Sequence, residues 1–178
     1  MDTFTLPDIL ALGFFVLAWA TYAFVLERSG HGRDSLSARM NIYREVWMRR
    51  MLDREVRIID TQIMASLQNG TAFFASTTLL AIGGSLSLLR STDAAMSVIA
   101  ALPLGIRNTP ALWDFKCIGL TLIFVYAFFK FAWAYRLFNY VAILLGATPP
   151  ADKHDTPEAQ AHVMRVTRVF QAAARHFN

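Results

Sequence analysis

The residue type best placed to do chemistry in this chain is arginine. Arg28, Arg33, Arg39, Arg44, Arg49, Arg50, Arg54 and Arg57 fall between residues 27 and 62, interleaved with Glu27, Asp34, Glu45, Asp53, Glu55 and Asp60. A guanidinium group grips phosphate and carboxylate through a fixed fork of donors. Arg50, Arg54 and Arg57, with Lys130 and Arg136 further along, are therefore candidates for contact with an anion or with anionic lipid headgroups. The plainer reading is an ion-paired helix face. Glu45–Arg49, Arg49–Asp53 and Asp53–Arg57 lie four apart, and Arg50–Asp53 and Arg57–Asp60 lie three apart. Each such pair contributes only about 0.2–0.5 kcal/mol. Nucleic acid is not an expected partner, because the acids offset the arginines and no recognition motif accompanies them.

Other reactive types are sparse. His31, His154, His162 and His176 all lie outside the most apolar stretches, which rules out a bis-histidine haem held inside a membrane. The single Cys117 forbids an internal disulfide and reads as a small apolar packing residue. There is no Walker loop, GxSxG, HExxH or CxxC. The expectation is a non-enzymatic protein without a cofactor.

The elements that position these residues follow from three apolar runs, residues 9–26, 71–89 and 112–146. About 20 apolar residues let a helix cross the hydrocarbon core. With 55% hydrophobic residues and mean hydropathy +0.38, the composition agrees with a membrane protein. The expected fold is all-α: an integral membrane helical bundle with three transmembrane helices, long cytosolic helical extensions and a C-terminal amphipathic helix. As a single membrane domain over 1–178, its spans would be 8–27, 70–90 and 111–132, and its cytosolic helices 35–68, 132–146 and 157–177. The Lys and Arg bias places 27–62 and the tail (Lys153, Arg165, Arg168, Arg175) in the cytosol, with the N-terminus and the loop 90–110 outside. The first run lacks a basic leader and reads as an anchor, not a signal peptide.

Local signals mark the helix boundaries. Pro7-Asp8, Thr109-Pro110 and Thr156-Pro157-Glu158 are helix starts. Leu36, Met40, Tyr43, Trp47 and Met51 form an apolar stripe. Asn69-Gly70 is the expected hinge. Without it, a helix over 35–89 would run about 82 Å, far beyond the bilayer. The apolar, aromatic stretch 131–144 would extend past the third span and need cover, so Trp47, Trp133 and Tyr140 are expected cytosolic contacts. In the tail, Val163, Val166, Phe170, Ala173, Ala174 and Phe177 share one face, and Arg165, Arg168 and Arg175 another. Asp114 and Lys116 would sit at the outer interface, Lys130 and Arg136 at the inner one.

In the second span, Ala72, Ser76, Thr77, Ala81, Gly84 and Ser85 suit a helix-packing seam, because small residues let backbones approach. This favours a structural or interaction protein, self-associating or an accessory subunit of a larger membrane complex. The alternative is an oligomeric channel or transporter for a small anion or polar solute. Asn69, Thr71, Ser76 and Thr78 would line it, and Arg50, Arg54 and Arg57 would form a cytosolic ring.

The run RxxWMxxML-DR-E-RIID over residues 44–60, followed by NGTAFFASTTLLAIGG over 69–84, resembles the membrane-protein family known as domain of unknown function 599, found in bacteria and plants. The likeness extends through the aromatic third segment to ARHFN at 174–178. It implies a multi-span membrane fold and supplies no catalytic residues. It also implies that 164–177 leads towards a further helix. The expected location is the bacterial inner (plasma) membrane.

Overall fold

The structure, a computed structural model, describes residues 6–28, 36–101 and 109–177. Its elements are α1 (Leu6–Arg28), α2 (Leu36–Leu52), α3 (Ile58–Arg90), α4 (Thr92–Ala101), α5 (Pro110–Gly146), a 3-10 turn (Ala151–Lys153) and α6 (Pro157–Phe177). The described residues are all-helical, with no strand. Two helices, α3 and α5, are long and apolar enough to cross a membrane. With 33 and 37 residues, they measure roughly 50 and 55 Å against about 30 Å of hydrocarbon. The apolar part of α1, Leu6–Tyr22, is shorter.

The helix starts have physical causes. Thr109 caps α5: its Oγ1 accepts from the Leu112 amide at 3.3 Å, and Pro110 occupies the first turn, where a missing N–H costs nothing. Thr156 does the same for α6 through the Ala159 amide at 3.3 Å.

The chain divides into two compact units, residues 1–32 with 78–126 and residues 33–77 with 127–178. In the first, Asp8 pairs with Lys116 at 3.6 Å and Trp19 meets Tyr126 edge-on, at 6.4 Å between ring centres. Ser85 Oγ donates to the Ile82 carbonyl at 2.9 Å, and Thr121 Oγ1 lies 2.8 Å from Ser85 Oγ, joining α3 to α5. Asp114 accepts from Thr92 at 2.8 Å. The helix α4 lies where only a connecting loop, 90–110, is expected from the sequence. Asp93 in its first turn suits the positive helix end.

The second unit holds the buried core. Met48, Met51 and Leu52 of α2, Met64 of α3, Phe138, Val141 and Leu145 of α5, and Ala159, Val163, Val166, Phe170 and Ala173 of α6 pack together. The amphipathic face expected for the tail is thus buried inside this unit, with Arg165, Arg168 and Arg175 exposed.

The helix expected over 35–68 is broken, and the break differs from the expected hinge. α2 ends at Leu52 and α3 begins at Ile58, while Asn69 and Gly70 lie inside α3. On one straight rod Met48 and Met64 would stand about 24 Å apart. The break lets both enter one core. The residues released, Asp53–Val56, are exposed. The helical ion pairs expected across this segment lose their register, and Glu45–Arg49 is present at 2.9 Å.

Candidate functional site

Polar groups of the second unit gather where α2 ends and α3 begins. Asp60, 1% exposed, presents Oδ1 to the Trp47 indole N–H and to Arg54 Nη1, both at 2.5 Å. Its Oδ2 is buried without a partner. Arg57 reaches across the unit. Its Nη1 donates to the Thr148 carbonyl at 3.0 Å, its Nη2 to the Pro149 carbonyl at 2.6 Å, and its Nε to the Met51 carbonyl at 3.4 Å. A helix C-terminus leaves carbonyls unpaired and carries partial negative charge, and a guanidinium answers both. His162 completes this end of α5, with Nε2 at 2.9 Å from the Leu144 carbonyl and 3.4 Å from Thr148 Oγ1.

Trp47, expected as a cytosolic contact, faces inward: its ring packs edge-on against Phe170 at 5.4 Å. Arg44 lies over the same Phe170, 5.5 Å from its centre, and donates to Asn41 Oδ1 at 2.6 Å. Burial lowers the pKa of its guanidinium from the ordinary arginine value. Gln68 donates to Asn139 at 2.5 Å, tying α3 to α5.

The residues expected to contact anions or headgroups separate into two groups. Arg54 and Arg57 make the internal bonds described above. Arg50 is exposed on α2, Lys130 is half-buried on α5, and Arg136 is exposed. Arg136 donates from Nε to Tyr140 Oη at 2.8 Å and lies 5.7 Å from the ring centres of both Trp133 and Tyr140. The expected contacts Trp133 and Tyr140 are thus joined by a cation on one exposed stripe of α5.

The small residues of α3 also divide. Burial recurs at Met64, Thr71 and Ser85, with Gln68, Ala75, Thr78 and Ile82 half-buried between them, a spacing of threes and fours. Of the expected seam, Ser85 is buried, Ala72 and Ala81 are half-buried, and Ser76, Thr77 and Gly84 are exposed. A methyl group added at Gly83 or Gly84 would meet nothing within 4 Å.

Sequence reasoning missed Asp60, His162 and the Ser85–Thr121 pair as structural elements. His162 was detectable, since it shares the 3–4 spacing of Ala159, Val163 and Val166. Asp60 carried no such signal, because its partners depend on the turn at 53–57.

The unit also carries two shallow clefts. One, about 290 Å³, is lined by Arg54, Glu55, Arg57, Pro150, Ala151 and Asp152. The other, about 260 Å³, lies between α2 and α6. In the first unit, Phe15, Trp19, Leu122, Ile123 and Tyr126 enclose an apolar cleft of about 400 Å³.

These features define an all-helical protein with two helices able to cross a membrane and a helical unit tied together by buried polar bonds. The chain belongs to the family described as protein of unknown function, DUF599, whose model matches residues 10–178. No curated protein and no solved structure matches it.

Proposed function

We propose that this protein is a non-enzymatic component of the bacterial inner membrane that associates with a second copy of itself, directly or within a larger complex. In this reading it spans the bilayer three times, over 8–27, 70–90 and 111–132, with the N-terminus outside and the C-terminus in the cytosol.

One observation carries the reading. Ile59, Ile63 and Leu67 stand one turn apart on α3 and are 67, 43 and 37% exposed. They lie before the expected span, on a different face from buried Asp60 and Met64. An apolar ridge in water costs about 25 cal/mol for each Å² left uncovered. A row at i, i+4 and i+8 is suited to the groove of an identical helix, which a two-fold axis supplies.

Other features agree. Apolar side chains of α1 from Leu6 to Tyr22 are 49–75% exposed at the large positions, as lipid contact would allow, which favours the third span. Ser76, Thr77 and Gly84 remain open on α3 for a second helix contact inside the membrane. Arg50, Lys130 and Arg136 stay candidates for anionic headgroups, with Trp133 and Tyr140 suited to interfacial depth. The channel alternative has less to rest on, because Thr71, one of its four expected lining residues, is buried and directs its hydroxyl to the Leu67 carbonyl of its own helix. The test is the size of the assembly in lipid after Glu replaces Ile59 and Ile63.

A further inference from the structure

In the cleft between α2 and α6, donors outnumber the internal acceptors that could satisfy them. Glu45 and Arg49 line it from α2, and Thr167, Arg168 and Gln171 line it from α6. Glu45 Oε1 holds Arg49 through Nε at 3.2 Å and Nη2 at 2.9 Å, which orients the guanidinium. Gln171 donates to the Asn41 carbonyl at 3.4 Å. Arg168 is exposed. Two guanidinium groups against one carboxylate leave the cleft cationic.

Thr167 supplies an independent pointer. It is 6% exposed and its hydroxyl has no partner. A helical threonine commonly bonds a carbonyl one turn back, as Thr71 does with Leu67 and Thr121 with Cys117. Thr167 does not, and a buried hydroxyl without an acceptor keeps its desolvation cost. An oxyanion would give Thr167 that acceptor and pair with Arg168 and Arg49. At about 260 Å³ the cleft falls below the roughly 300–1,000 Å³ of drug-sized sites. It fits a phosphate group with a short stem, not a nucleotide. Val163 and Met164 give that stem an apolar wall.

We propose that the α2–α6 cleft binds a small phosphate-bearing anion, with Arg49 and Arg168 on its oxygens and Thr167 as a hydroxyl donor. The same chemistry is offered by a soluble phosphate ester and by the headgroup of an anionic lipid. The proposal does not rest on self-association, since the cleft is lined by α2 and α6 and the row Ile59, Ile63 and Leu67 belongs to α3.

The experiment uses the full chain in maltoside micelles without phosphate buffer. Thermal unfolding is followed while glycerol 3-phosphate, phosphatidic acid or phosphatidylcholine is added. A rise in Tm with glycerol 3-phosphate assigns a soluble ligand. A rise with phosphatidic acid, absent with phosphatidylcholine and glycerol 3-phosphate, assigns a lipid headgroup. Thr167→Val and Arg168→Gln each weaken the apparent affinity about tenfold, the scale of losing one hydrogen bond to a charged group. Arg165→Gln, exposed on the same helix outside the cleft, leaves it unchanged. Circular dichroism confirms that each variant is folded. No rise in Tm with glycerol 3-phosphate or phosphatidic acid overturns the proposal. So does wild-type affinity in either cleft variant, or an equal loss in Arg165→Gln.

Discussion

The indole nitrogen of Trp47 and the carboxylate of Asp60 are bonded at 2.5 Å across the turn that separates α2 from α3. Arg54, inside that turn, donates to the same oxygen. The two bonds fix the angle at which α2 leaves α3, and so bring Met48, Met51 and Leu52 to the core that α5 and α6 share.

The members of this cluster are not equivalent. Asp60 is 1% exposed and the Arg54 side chain is 42% exposed. Removing Asp60 frees a guanidinium that water can reach and leaves the Trp47 N–H without its acceptor, at about 1–3 kcal/mol. Removing Arg54 leaves a buried carboxylate with one N–H donor, and stranding a buried charge costs about 3–5 kcal/mol. Arg54→Ala should therefore destabilise the protein more than Asp60→Ala, measured as denaturant midpoints. The opposite order would show that the pair is solvated.

Arg57 joins the start of α3 to the chain after α5 through carbonyls 91 and 92 residues away. Losing hydrogen bonds from a charged donor costs about 1.5–3 kcal/mol each before compensation by water. Arg57→Ala should lower Tm by several degrees. Arg57→Lys should restore only part, because an ammonium cannot present the fork that spans two carbonyls. Full rescue by Lys would reduce the contact to simple charge.

Ser85 and Thr121 link α3 and α5 through their hydroxyls at 2.8 Å. Hydrogen bonds between membrane helices average about 0.6 kcal/mol in double-mutant cycles. A cycle of Ser85→Ala and Thr121→Val should give a coupling of that size in bicelles. Zero coupling would mean that the helices are held by shape alone.

Helix type was legible in the sequence wherever a cap or a long period announced it. Thr109-Pro110 and Thr156-Pro157 mark the starts of α5 and α6 as read. The turn at 53–57 was not legible, because Arg49, Asp53 and Arg57 also fit a continuous ion-paired helix, and propensity cannot weigh that against a shared core for Met48 and Met64. The same ambiguity hid the partners of Arg54 and Arg57. Their charges fit a surface contact equally well until Asp60 and the end of α5 are placed. The seam on α3 was half legible. Small residues cover several faces of that helix, and only the partner helix selects Thr71, Thr78 and Ser85 over Thr77 and Gly84. Apolar surplus beyond the spans was visible from length, and of the covers open to it in the sequence (the 35–68 helix, the tail or another chain) α2 and α6 supply much within the chain.

The exposed row Ile59, Ile63 and Leu67 is the heart of the proposed function. Its most direct test is the mass of the assembly in native lipid particles, for wild type and for a variant carrying Ile59→Glu and Ile63→Glu. Both positions are exposed, so the single chain should keep its helicity. Wild type should hold two or more copies, and the variant should fall to one. A single copy in wild type, or an unchanged mass in the variant, would contradict it.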